Sequence, residues 1–240
     1  MNLLIKNTLR GLAASVALLS LTNASAAVVF TETVLTGDAQ VFNNGTLIQA
    51  NNVGAGATAT TINGVSFGND HTGLTAPTLY THSQSVSGFS TELSTMLNSY
   101  VRPSNWINSA FEYSGSLTIS GLTIGNDYRI QLFTALTGAS NPAANFSLEG
   151  SAFHSMTDWA PGAMNLSAVW TATDDTMNLT IGQTFSQTQY LYTVLNGYAL
   201  HDVTGVDPIP ETGAASVSIS STLGLSLFGV AGLIWRRRQA

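Results

Sequence analysis

Two stretches of this chain alternate apolar and polar residues with a period of two, which restricts them to strands that bury one face. In the first, Leu117 and Ile119 lead through Gly121-Leu122 and a Gly125-Asn126-Asp127 turn into Tyr128, Ile130 and Leu132. In the second, Leu166, Ala168, Trp170 and Ala172 lead through Asp174-Asp175 into Met177, Leu179 and Ile181. Both read as β-hairpins, with Trp170 in the core. Ala27 to Val34, Thr58 to Phe67, Phe146 to Leu148 and Tyr190 to Val203 are further candidate strands. One segment follows the helical period instead. Phe89, Leu93, Met96, Leu97 and Tyr100 share a helical face, Ser90 stands at the N-cap and Pro103 lies just past the end. Strand runs about every ten residues, one short helix and no fixed repeat over roughly 180 residues predict a mostly β fold, a β-sandwich rather than a solenoid.

Charge narrows the function. The 240 residues hold 7 Lys+Arg and 13 Asp+Glu, and only 8% are charged, against roughly a quarter in an average soluble protein. Lys6 and Arg10 lie near the start, and Arg236, Arg237 and Arg238 near the end. Between Arg10 and Arg236 stand Arg102, Arg129 and all thirteen acids, so that stretch carries 2 − 13 = −11. Two arginines in such a background cannot displace counterions from a phosphate backbone, which excludes nucleic acid as a partner. A Walker-type phosphate cradle is excluded too, because no Lys follows residue 6.

The ends read as addresses. Lys6 and Arg10 precede an apolar run, Leu12 to Leu21, and the small residues Ala24-Ser25-Ala26 follow it, so residues 1–26 are expected to be a signal peptide cut by signal peptidase. With no Cys, the exported chain folds without disulfides. The other end orders a short motif, Ile209-Pro210-Glu211-Thr212-Gly213, an uncharged stretch from Ala214 to Trp235, and Arg236 to Arg238. Those 22 apolar and small residues make about 33 Å of helix, enough to cross a hydrocarbon core as a single transmembrane helix over 214–235. The arginines then lie on the cytoplasmic side and residues 27–207 form the ectodomain outside.

This tail, 208–240, resembles the sorting signals of the PEP-CTERM family of bacterial exported proteins. The resemblance implies recognition by an exosortase-like membrane enzyme, with Pro210, Glu211, Thr212 and Gly213 and the cluster Arg236, Arg237 and Arg238 as the residues read. Thr212 stands where that pattern has a second Pro. The motif is also similar to the LPXTG signal of Gram-positive sortases, with Ile209 in place of Leu, which would put the cut between Thr212 and Gly213 by a sortase-like enzyme. Either implies a protein tethered in the inner membrane during sorting and then displayed at the cell surface or released outside.

The ectodomain resembles galactose-binding-like and malectin-like jelly rolls. The residues that carry the likeness are the helix Gly88 to Val101, the stretch Gly115 to Phe133 with its Gly121-Leu122-x-x-Gly125-x-x-Tyr128 core, and Leu195-Asn196-Gly197-Tyr198-Ala199-Leu200. The resemblance implies a jelly-roll-like β-sandwich and a family rich in carbohydrate-binding modules.

Aromatic side chains supply the binding argument. Sugar rings present apolar C–H faces that stack on flat side chains with a polar edge, and Trp106, Trp159, Tyr80 and Tyr100 fall in or beside predicted loops. They are the candidate glycan-contact residues for an extracellular polysaccharide. No catalytic residues are read. Gly64-Val65-Ser66-Phe67-Gly68 matches a nucleophile-elbow pattern, but no helical stripe follows it. The thirteen acids offer no spacing that selects a glycosidase pair. His71, His82, His154 and His201 form no metal-binding pair within one element and read as surface or loop residues. No cofactor is expected, apart from a calcium ion that loop carboxylates such as Asp127, Asp174 and Asp175 would suit. The expectation is a non-enzymatic exported surface or matrix protein with weak carbohydrate recognition; the alternatives are a dedicated carbohydrate-binding module, a sortase-anchored surface protein and, behind those, a glycoside hydrolase.

Overall fold

The computed structural model describes residues 28–71, 73–75, 78–107, 110–137, 145–156, 162–184 and 193–206, and the side chains within these except 78–79, 103–107, 110–114 and 183–184. Strands β1 (Val29–Val34), β2 (Thr46–Asn52), β3 (Thr60–Ile62), β4 (Val65–Phe67), β5 (Leu74–Thr75) and β6 (Thr78–Ser83) precede a helix, α1 (Thr91–Leu97). After it come β7 (Ser99–Ile107), β8 (Ala110–Ser120), β9 (Asp127–Ala135), β10 (Asn145–Leu148), β11 (His154–Ser155), β12 (Ala163–Thr171), β13 (Thr176–Thr184) and β14 (Gly197–Asp202). One sheet runs β1-β12-β9-β14-β2. The other runs β11-β10-β13-β8-β7-β6, with β5 also on β8. The pairings within both sheets are antiparallel.

The alternating residues do what their period demands. Tyr128, Ile130 and Leu132 of β9, Leu166, Ala168 and Trp170 of β12, and Leu200 of β14 share one buried cluster with Leu117 and Ile119 of β8 and Met177, Leu179 and Ile181 of β13. The fold is a β-sandwich whose main core lies between the sheets.

The two expected hairpins are not hairpins. β8 and β9 are consecutive but lie in opposite sheets, as do β12 and β13; β9 pairs with β12 and β8 with β13. Period-two alternation identifies a half-buried strand but not its partner. Crossing the sandwich sends Ile119 and Ile130 into the shared core from opposite sheets instead of setting them side by side on one sheet. The two crossing loops are bonded together: the Gly121 and Leu122 N–H groups donate to the Asp175 carbonyl, and Ala172 and the 125–126 turn exchange N–H···O bonds. Tyr128 is tucked under its own loop, its hydroxyl accepting from the Thr123 N–H at 2.8 Å.

The helix is shorter than its apolar stripe. Ser90 caps it, Oγ accepting from the Leu93 N–H at 3.1 Å, and Leu93, Met96 and Leu97 are fully buried. It stops at Leu97 because Ser99 already begins β7, so Tyr100 belongs to a strand. Helix α1 and the β3–β4 hairpin cover part of the outer face of the five-stranded sheet in a second cluster with Phe133, Ala135, Ala163 and Ala199. The hairpin turns on Asn63-Gly64, both at positive φ (47° and 81°), as a two-residue primed turn requires. Ser66 sits in β4, exposed and 3.3 Å from Thr61 Oγ1, so the Gly-x-Ser-x-Gly pattern is half of a hairpin and no elbow.

Among the described residues no helix is long and apolar enough to cross a membrane. The expected signal peptide 1–26, the motif 209–213, the helix 214–235 and Arg236–Arg238 lie outside them.

A buried amide ties the parts together. Asn196 is fully enclosed; its Oδ1 accepts from the Ala135 N–H at 2.6 Å and its Nδ2 donates to the Leu97 and Ser99 carbonyls at 2.8 Å each. Removing it with Asn196→Ala strips three buried hydrogen bonds, and a stability loss of about 3 kcal/mol is expected in chemical denaturation.

His201 of β14 is a second buried polar group, 1% exposed and hence a correction to its reading as a surface histidine. Its register partner on β9 is Arg129, 8% exposed, whose Nε donates to Ser167 Oγ at 3.0 Å and whose guanidinium carbon lies 4.3 Å from the Phe42 ring centre. Burial first, and the Arg129 charge second, push the His201 pKa down to about 4. Above about pH 6.5 the imidazole is neutral in both folded and unfolded chain and stability is unaffected. As pH falls from there to about 4, the unfolded chain takes up a proton that the folded one refuses, and about 2–3 kcal/mol is lost. The difference in unfolding free energy between the native chain and His201→Gln should shrink by that amount over this window, and a pH-independent difference would contradict the assignment.

Candidate functional site

Of the four candidate glycan-contact residues, the structure brings two together, and on strands rather than loops. β6 and β7 pair so that Tyr80 faces Arg102 and His82 faces Tyr100. Side chains two apart on a strand, and directly opposite across a pair, share a face. The result is a ladder: the Tyr80 and His82 rings stack at 6.3 Å between centres, His82 and Tyr100 at 5.1 Å, and the Arg102 guanidinium carbon lies 5.4 Å from the Tyr80 ring centre.

The ladder is held from behind. Val101, fully buried, bridges to Leu195 by paired N–H···O bonds of 2.9 and 3.0 Å. Gly54, at φ +121°, lies against Tyr100, where any Cβ would come within 2.2 Å of the Tyr100 nitrogen. Backbone contacts this close fix the strand that carries Tyr100 and Arg102. Among the described residues β6 is the last strand of its sheet, and Tyr80 on it is 45% exposed.

The electrostatics follow from the arrangement. Burial, reinforced by the Arg102 charge, lowers the His82 pKa below its ordinary value. Burial raises that of Tyr100, with Arg102 opposing. At neutral pH the imidazole is therefore uncharged, a flat neutral ring between two phenols. His82 Nε2 is enclosed without a hydrogen-bond partner among the described residues. The ladder thus offers partly exposed ring surface, phenol hydroxyls and one cation, a set suited to binding a polar ligand with apolar faces.

The remaining candidates are dispersed. Trp106 lies in β7 opposite Phe111 of β8, four residues along from Arg102, and not in a loop; Trp159 lies outside the described residues. Trp170 is in the core, 5.9 Å from Tyr128 ring to ring. His71 accepts from the Gly54 N–H at 3.0 Å, and His154 meets Glu32 at 2.6 Å, joining the edge strands β11 and β1 of the two sheets. Asp174 and Asp175 accept locally from the Thr176 N–H and hydroxyl, and Asp127 from Thr171 Oγ1. Among the described residues no group of three or more His, Asp or Glu side chains could hold a metal ion. His82 and Arg102 escaped the sequence reading. Their signal was the period-two pairs Tyr80-x-His82 and Tyr100-x-Arg102, legible only once both segments are known to be strands in register.

No protein-family model and no curated protein matches the chain. Among solved structures it is similar to the ANXUR1 extracellular domain from Arabidopsis thaliana (14% identity, TM-score 0.48, 64% of this chain and 47% of that one). It is also similar to the ANX1 ectodomain of the same plant (12%, TM-score 0.48, 66% and 42%) and to a Bacteroides uniformis β-glucuronidase (14%, TM-score 0.42, 64% and 18%). The chain spans less than half the length of each of these three proteins.

Proposed function

We propose that this chain is a non-enzymatic exported protein whose jelly-roll domain weakly recognises carbohydrate through the Tyr80, His82, Tyr100 and Arg102 ladder. The observation that carries the reading is the ladder itself: three stacked rings and a guanidinium on the paired strands β6 and β7, in a chain with very few charged side chains. The alternation of β8, β9, β10, β12, β13 and β14 between the sheets supports the jelly-roll description. A sugar would rest on the exposed part of Tyr80 and hydrogen-bond to phenol and guanidinium edges. Because each ring already stacks on a neighbour, contact is partial and affinity low, which suits a protein that meets many copies of a repeating polymer.

Titration of the native chain against a panel of polysaccharides should find a ligand for which Tyr80→Ala and Tyr100→Ala each weaken binding about tenfold, while Ile124→Ala on a distant exposed loop leaves it unchanged. Full retention of binding in both tyrosine variants would place the ligand elsewhere.

The address part of the proposal rests on the sequence of the tail. An exosortase-like enzyme acts on the Pro210-Glu211 motif while the 214–235 helix holds the chain in the inner membrane, and the processed ectodomain is left at the surface or outside. Mass spectrometry of protein from the native cell should show a chain beginning near Ala27 and ending close to the 209–213 motif. A C-terminus between Thr212 and Gly213 would select a sortase-like enzyme instead, and an intact Ala240 would remove processing altogether.

A further inference from the structure

Three Asn-Gly pairs occur in this chain, at 44–45, 63–64 and 196–197, and the fold treats them differently. Such a pair carries the means of its own reaction. The glycine nitrogen can close on the amide carbon of the asparagine before it, because no Cβ hinders the approach. In a folded chain two conditions govern the step: the asparagine amide must be free to turn, and the glycine N–H must stand outside any hydrogen-bonded ladder.

Asn196-Gly197 meets neither condition. Its enclosed amide is bonded to Ala135, Leu97 and Ser99, and Gly197 lies in β14 between Phe133 and Asn52. Asn63-Gly64 fails the first. Asn63 Nδ2 donates to the Val41 carbonyl at 2.8 Å, and the Asn63 carbonyl accepts from Asn43 Nδ2 at 3.0 Å, so the β3–β4 turn is fastened to the segment 41–43 through Asn63 itself. Asn44-Gly45 meets both. Asn44 is partly exposed and Gly45 exposed, and among the described residues neither the Asn44 amide nor the Gly45 N–H makes a hydrogen bond. The ladder of β2 begins at Thr46, one residue too late to hold that N–H.

We propose that Asn44 is a site of spontaneous covalent modification, converting in the folded protein to aspartyl and isoaspartyl linkages. The Gly45 nitrogen bonds to Asn44 Cγ and gives its proton to hydroxide. The bond from Cγ to the amide nitrogen breaks, and that nitrogen takes a proton from water and leaves as ammonia. Water then adds to one carbonyl of the cyclic imide. Breaking the new bond at Cγ leaves an aspartate; breaking the original peptide bond leaves the main chain running through the side chain, longer by a methylene. Nothing is oxidised or reduced.

The position gives the change a structural consequence. Thr46 opens β2 by pairing with Asp202, and a Cβ on Gly45 would come within 2.3 Å of the Asp202 carbonyl oxygen. A lengthened main chain at this join displaces Gly45 from Asp202 and loosens the first pair of β2. The new carboxylate also takes the stretch between Arg10 and Arg236 to −11 − 1 = −12.

The full chain in detergent, warmed in mildly alkaline buffer and mapped by peptide mass spectrometry with isoaspartyl detection, tests the assignment. Asn44 should convert steadily, Asn63 about tenfold more slowly, and Asn196 not measurably, since its reaction must wait for unfolding. In denaturant the three pairs should convert at rates within about threefold of one another, because only the fold distinguishes them. The acidic species that accumulates in isoelectric focusing of the native chain should be absent from Asn44→Gln. Conversion of folded Asn63 or Asn196 at the rate of Asn44, an Asn44 rate in the folded chain no higher than that of Asn196, or an acidic species that persists in Asn44→Gln would overturn the proposal.

Discussion

The side chain on which most of this architecture converges is the buried amide of Asn196. It stands just before β14, where the backbone leaves one sheet and touches the other: Leu195 exchanges two hydrogen bonds with Val101 of β7, while Asn196 donates its own N–H to Phe133 of β9. The amide then reaches three carbonyl and N–H groups that no regular ladder would serve, at the end of β9, the end of α1 and the start of β7. A helix terminus leaves carbonyls unsatisfied, and one buried beneath a sheet cannot turn to water. Asn, with two donors and an acceptor on one planar group, is suited to close such a three-way junction. The register of the β6–β7 ribbon against the rest of the sandwich, and with it the aromatic ladder, follows from that closure.

The five-stranded sheet has two different outer surfaces for one inner one. Toward the Asn196 end, Phe133, Ala135 and Ala199 are covered by α1 and the β3–β4 hairpin, an ordinary apolar cover. Toward the other end the outward positions of β9 are Gln131 and Arg129, and the cover is the segment after β1. Gln131 accepts from the Phe42 N–H and donates to the Gln40 carbonyl, at 2.7 and 3.0 Å, while Phe42 lies over Arg129 and edge-on to His201. An irregular segment lying on a sheet has backbone groups that need partners, and the polar outward side chains supply them. The cost is a buried cation beside a buried imidazole, and it is met by keeping His201 neutral.

How much of this could be read from the residues depended on the range of the interaction. Period two identified β8, β9, β12 and β13, and the small-residue turns between them, because alternation is a property of one strand against its own core. Whether Tyr128 pairs beside Leu117 or faces it across the core is decided by strands far away in sequence, so alternation alone gives both crossings the look of hairpins. The helix was found by its buried face, but its end was set by tertiary pairing: Tyr100 fits the helical stripe and is claimed by β7, where Val101 must meet Leu195. β2, β6 and β7 were invisible for a related reason. Thr46–Asn52 and Thr78–Ser83 are edge strands with little apolar alternation to display, and edges are recognised by what they lack.

The same asymmetry governs the candidate site. Tyr80 and Tyr100 stood out as single aromatic residues in polar surroundings, and their chemistry was legible; their company was not. A residue pair twenty apart in sequence becomes one surface only through the β6–β7 register, which also brings in His82 and Arg102. Once assembled, the four side chains limit one another: stacking covers part of the ring faces, and the Arg102 charge helps keep His82 neutral. A lone tyrosine on a loop would offer its whole face to a ligand and hold it poorly, whereas a ladder on a strand offers less area on a more rigid frame. Ordered side chains lose less freedom when a ligand arrives. The physical advantage of holding Tyr80 and Tyr100 on paired strands and not on loops is therefore rigidity, supplied by the backbone contacts of Gly54 and Leu195 behind them.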